Sequence, residues 1–209
     1  PSYGLLYPNA FIEMAESSGY IVDLGKWILK TACYQVKKWR EMYQKPFYLS
    51  VNIAIKQLLD YRFVPFIKGL LDEMKLEAKY LILEITERIT DDIKRVVNPL
   101  ERLRKLGVQI SLDDFGKGYN SLYYLKELPV DQIKIDRSFI NDVSNKRNRV
   151  IVKSMIDTAK LLGLEIVAEG IETKKEKELF SSYCDYLQGF YFAKPMPIQD
   201  VEQSLIHAV

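Results

Sequence analysis

Leu106-Gly107-Val108-Gln109-Ile110-Ser111-Leu112-Asp113-Asp114 is the stretch that decides the fold. Gly107 closes a helical pattern running from about Asp91 to Leu106, as a glycine after the last helical turn does. Val108 to Asp113 then reads as a short apolar strand, and two adjacent carboxylates stand at its C-terminal end. The same unit recurs on either side. Strands are expected at 46–52, 80–86, 132–136 and 164–169, and a sixth opens at Asp185-Tyr186-Leu187-Gln188. Helical patterns separate them, at about 22–42, on to Lys75, 91–106, 149–162 before Gly163, and 174–180. A short helix ends at Gly19, and a closing one covers 198–207. In the 22–42 helix, Leu24, Trp27, Ile28, Thr31, Ala32, Val36 and Trp39 fall near one face. Short, β-branched strands alternating with helices imply an α/β protein whose parallel strands are buried on both faces.

This order allows an open doubly wound sheet or a (β/α) barrel. The polar residues discriminate. Asn52, Glu84, Asp113 with Asp114, Lys134 with Asp136, Glu169 and Gln188 all stand at the C-terminal ends of strands. A barrel gathers such ends at one mouth, where active sites sit. An open sheet spreads them along an edge, with only the switch point useful. So many polar strand ends favour the barrel.

Composition narrows the chemistry. At 209 residues with 48% hydrophobic content, the chain can bury a large core without staples, and it reads as one domain. A net charge of +2 gives no electrostatic argument for nucleic acid or membrane. Its 2 cysteines, Cys33 and Cys184, have no metal-like spacing and suit a reducing, cytoplasmic setting. The single histidine, His207, removes most zinc enzymes and Ser-His-Asp hydrolases.

What remains is oxygen chemistry. Asn52, Glu84, Asp113, Asp114 and Glu169 are hard donors, which favour Mg2+ or Mn2+. Lys134 among them could neutralise carboxylates, hold a water or bind a phosphate oxygen. Carboxylates, metal and lysine point to phosphate-ester chemistry, with enolate chemistry on a barrel as the competitor.

The loop Asp113-Asp114-Phe115-Gly116-Lys117-Gly118-Tyr119-Asn120-Ser121-Leu122 resembles the signature loop of the EAL-domain family of cyclic-di-GMP phosphodiesterases. Ser50-Val51-Asn52, Leu83-Glu84-Ile85-Thr86-Glu87, Ile133-Lys134-Ile135-Asp136, Val167-Ala168-Glu169-Gly170, Leu187-Gln188-Gly189-Phe190 and Lys194-Pro195 agree in order. The resemblance covers nearly the whole chain. It implies a modified (β/α)8 TIM-like barrel with one antiparallel strand, and hydrolysis of cyclic di-GMP to linear pGpG with Mg2+ or Mn2+. By that resemblance Asn52, Glu84 and Asp113 bind one metal and Asp114 contributes to a second. Lys134 orients the nucleophilic water, and Glu169 is a metal-site carboxylate or general base. Gln188 and Pro195 line the substrate site, and Glu87 anchors the signature loop. The family's namesake Glu-Ala-Leu segment, with its nearby arginine, is expected before Pro1, so that residues 1–209 form an EAL domain lacking its N-terminal strands. Lys117 and Asn120 depart from the usual loop pattern, where smaller residues are common. The resemblance further implies a homodimer and an upstream sensory or GGDEF domain. The alternative is a receptor or scaffold that binds cyclic di-GMP without turnover.

Overall fold

The computed structural model of the chain describes residues 4, 6–86, 93–117 and 121–207. It divides into two compact units, 1–133 and 134–209. The first opens with a short helix, α1 (Ile12–Ser18), which stops at Gly19 in the left-handed conformation, φ +81°. The long helix α2 (Ile21–Tyr43) follows. Its buried face is Ile21, Gly25, Leu29, Cys33 and Val36, a stripe with helical spacing. This face is rotated from the sequence expectation, and Trp27 is 64% exposed. Gly25 supplies the reason. A Cβ there would lie 2.0 Å from Gln57 Nε2, so the missing side chain lets α2 approach the short helix α3 (Ile55–Leu58) along that line.

The expected helix up to Lys75 is broken. α3 ends near Asp60, whose carboxylate accepts from the backbone N–H and guanidinium of Arg62, and α4 (Phe63–Met74) begins afresh. The first strand, β1, is Leu49–Asn52, three residues shorter than expected. Pro46 brings no N–H to a ladder, and Phe47 packs instead against the rings of Trp39 and Tyr43. β2 (Leu81–Thr86) is buried from Leu81 to Ile85, as a parallel strand covered on both faces should be. α5 (Ile93–Lys105) packs through Ile93, Val96, Leu100 and Leu103. β3 (Gln109–Phe115) runs two residues beyond expectation, carrying the Asp113-Asp114 pair inside the strand. β1 pairs with β2, and β2 with β3, both in parallel. Helix α6 (Ser121–Glu127) was not legible from periodicity.

β4 (Gln132–Ile135) spans the division between the units. The second unit adds α7 (Arg137–Asn141) and α8 (Lys146–Leu161), then β5 (Glu165–Glu169), α9 (Lys174–Phe180), β6 (Tyr186–Gln188) and α10 (Ile198–His207). At 5 residues, α7 is too short to show a helical period in the sequence. α8 starts three residues earlier than expected because Asn145 caps it, accepting from the N–H groups of Arg147 and Asn148. A Thr173–Glu176 capping box opens α9. β5 and β6 pair in parallel.

Each unit contains the same register device. In the first, the N–H of Asp131 donates to Ile110 O at 2.9 Å, and its carboxylate accepts from Ile110 N–H at 2.9 Å. In the second, Asp185 does the same with Ile166, at 2.9 and 2.8 Å. A residue just before a strand thus grips the start of an earlier one with two hydrogen bonds.

Both cysteines are free thiols, Cys33 fully buried, and burial pushes each thiol up to about 11. Among the described residues no helix is long and apolar enough to cross a membrane.

Two glycines should respond oppositely to alanine. Gly69 lies on the exposed side of α4 with nothing near its missing Cβ, so Gly69→Ala should stabilise by about 0.4–1 kcal/mol. At Gly189 a Cβ would stand 2.2 Å from Ile171 O and 2.3 Å from Ile171 N, and backbone cannot yield as a side chain can. Gly189→Ala should cost about 1–3 kcal/mol. Urea unfolding of the two variants checks both signs.

Candidate active site

In the first unit the register brings the predicted residues to neighbouring strand ends. Asn52, the last residue of β1, pairs with Glu84 of β2. Glu84 pairs in turn with Ser111 of β3, and Asp113 follows two residues later. Side chains alternate along a strand and register partners point the same way, so Ser50, Asn52, Glu84, Ser111 and Asp113 share one face. Asn52 is exposed and Asp113 half-buried, while Glu84 is only 6% exposed. The Ser50 hydroxyl donates to Glu84 Oε1. The buried Ser111 hydroxyl donates to Gln132 Oε1 at 2.9 Å. Asp113 Oδ1 accepts from the N–H of Asp114 at 3.0 Å. Asp114 itself has φ +58°, a left-handed conformation that aspartate tolerates better than most residues. Its carboxylate accepts from Lys117 Nζ at 2.7 Å, so one residue departing from the usual loop pattern pairs with one of the candidate ligands.

The second unit holds the cationic component. Lys134 is 4% exposed, and its Nζ lies 2.7 Å from Glu169 Oε1. Asp136, 3% exposed, caps α7 by accepting from Ser138 N–H at 2.9 Å. Carboxylate oxygens of Asp136 and Glu169 come within 4.8 Å of one another. Two carboxylates at that separation repel, and the Lys134 ammonium offsets the repulsion. Glu169 is in register with Gln188, the exposed last residue of β6. The turn after Glu169 requires glycine, because Gly170 has φ +72° and a Cβ there would lie 2.3 Å from Arg137 Cβ. Pro195 is exposed. Glu87 lies outside the described residues, as do Gly118, Tyr119 and Asn120 of the signature loop.

The donor set of the first unit fits a hard divalent cation. A carboxamide oxygen and two carboxylates stand on one face of three adjoining strands, with no imidazole or thiolate in the set. Sequence reasoning singled out these donors but missed Ser50, Ser111 and Gln132. A signal existed. Each lies two residues before a candidate, Asn52, Asp113 and Lys134 respectively, and so on the same strand face.

A model of the EAL domain matches residues 1–195. The chain belongs to the EAL domain family. Its relatives include the signaling protein YkoW of Bacillus subtilis, 39% identical over 99% of this chain and 26% of YkoW. Another is the cyclic di-GMP phosphodiesterase NbdA of Pseudomonas aeruginosa, 38% identical over 98% of this chain and 27% of NbdA. Among solved structures, the MucR phosphodiesterase of Pseudomonas aeruginosa in complex with c-di-GMP superposes with a TM-score of 0.88. That likeness is 38% in identity and covers 96% of this chain and 83% of that one. These likenesses give this EAL domain its barrel-type α/β fold. The chain spans less than a third of the length of the two curated relatives.

The Lys134–Glu169 pair should prove strongly coupled. Lys134→Met strands a largely buried carboxylate and should cost up to about 3 kcal/mol, the low end for a buried ion pair because the Glu169 side chain keeps 17% exposure. Adding Glu169→Gln should restore at least about 1 kcal/mol. A double-mutant cycle by chemical denaturation measures this. Additive losses would show that the pair contributes no coupling.

Proposed function

We propose that this EAL domain, residues 1–209, hydrolyses cyclic di-GMP to linear pGpG with Mg2+ or Mn2+. The observation that carries the proposal is the oxygen-donor face of Asn52, Glu84 and Asp113 on adjoining strand ends. The names of NbdA and MucR, both described as cyclic di-GMP phosphodiesterases, support the substrate. Asn52, Glu84 and Asp113 would hold one ion, and Asp114 would serve a second. A bound divalent ion would supply Lewis-acid polarisation of a phosphoryl oxygen.

The chain's own residues do the rest. Water attacks phosphorus, a new P–O bond forms, and the P–O bond to one ribose 3′ oxygen breaks, that oxygen leaving with the bonding pair and taking a proton from solvent to become the 3′ hydroxyl of pGpG. Lys134, a fixed ammonium, orients the attacking water by hydrogen bonding. Glu169, held by Lys134 at 2.7 Å, takes the proton the water sheds. Gln188 and Pro195 contact the nucleotide, and Glu87 anchors the signature loop. The proposal extends to a homodimer, to a sensory or GGDEF domain elsewhere in the protein, and to a cytoplasmic place of action.

Chromatography of cyclic di-GMP incubated with the protein and Mg2+ tests the reaction, pGpG being the expected product. Calorimetric binding in Ca2+ without turnover in Mg2+ would leave a receptor instead. Within an active protein, Lys134→Met should lower kcat by roughly 10²–10³ with little change in Kd, since the ammonium acts on charge that develops in the transition state. A Kd weakened as much as kcat/KM would make Lys134 a binding residue.

A further inference from the structure

Glu84 is a candidate ligand with an unusual local setting. Its residue is 6% exposed, and it stands between β1 and β3, where its register partners are Asn52 and Ser111. A carboxylate in such a place needs donors to fix it. One comes from Ser50, on the adjoining strand and two residues before Asn52, whose hydroxyl donates to Glu84 Oε1. Ser50 is itself exposed, so its side chain has little part in the core. Among the described residues the hydroxyl bonds to an oxygen of the proposed metal ligand and to no other side chain.

We infer that Ser50 is a positioning residue for the divalent ion: its hydroxyl fixes the rotamer of the Glu84 carboxylate, leaving that group prepared to bind metal alongside Asn52. The inference rests on the metal reading above. Groups that orient ligands commonly contribute 10–100-fold to metal affinity, because an unrestrained carboxylate must be ordered when the ion binds. The geometry is economical. Ser50 and Asn52 lie on the same face of one strand, so a single strand supplies both a ligand and the hydroxyl that aims the neighbouring ligand.

The test is Mn2+ binding to the unaltered protein and to the Ser50→Ala, Ser50→Thr and Glu84→Gln variants. Free Mn2+ is read by electron paramagnetic resonance without nucleotide, and thermal unfolding is recorded without metal. Ser50→Ala should weaken Mn2+ binding roughly 10-fold and Ser50→Thr should restore it, while metal-free unfolding shows every variant still folded. Glu84→Gln should lose the site. Unchanged binding in Ser50→Ala overturns the inference while leaving the metal reading intact. Equal weakening in the alanine and threonine variants also overturns it, since the hydroxyl would then not be the cause. Failure of the unaltered protein to bind Mn2+ overturns the metal reading and this inference together.

Discussion

Parallel strands have no tight turn to set their register, and a one-residue slip sends every side chain to the opposite face. The candidate site tolerates no such slip, since its donors meet only if strand ends stay level. Asp131 and Asp185 supply part of that control. Each grips an earlier strand near its start through one backbone and one carboxylate hydrogen bond. In the second unit the consequence can be followed residue by residue. Asp185 holds Ile166, Val167 then pairs with Tyr186, and Glu169 arrives opposite Gln188. The polar strand ends are therefore set from the far ends of the same strands.

The chemistry divides along the chain in a similar way. The first unit carries oxygen donors at adjoining strand ends, and its polar side-chain contacts, the half-buried one of Ser50 with Glu84 and the buried one of Ser111 with Gln132, run along the same strand face. The second carries the ammonium, paired at 2.7 Å with Glu169 and placed on a strand buried along its length. A lysine so buried has little rotamer freedom, which suits a role in fixing a water rather than reaching for one. Glycine takes part where backbone must come close. Gly189 presses on Ile171, and Gly170 turns the chain beside Arg137 directly after Glu169.

Much of this was legible in the sequence. Apolar runs located the strands, and the polar residue ending each run located the candidate donors. What was not legible depended on partners distant in sequence. The buried face of α2 is set by the approach of Gln57 to Gly25, which the periodicity of α2 alone does not contain. The break before α4 turns on an Asp60–Arg62 contact within a stretch that otherwise reads as helix. α6 and α7 are too short to show a period. Ser50 and Asp131 are ordinary residues by type, and only register reveals what they hold.

The two aspartate grips also bear on how such a sheet can assemble. They connect residues only 21 and 19 positions apart in the chain. Closing a loop of that size carries a modest entropy cost, rising by only about 0.6 kcal/mol for each doubling of length. β4 and β6 can thus each be registered against the strand made just before, with a helix between them already able to form. For a parallel sheet, whose pairings are intrinsically slow to find, this makes the search sequential: a strand need only locate its recent predecessor.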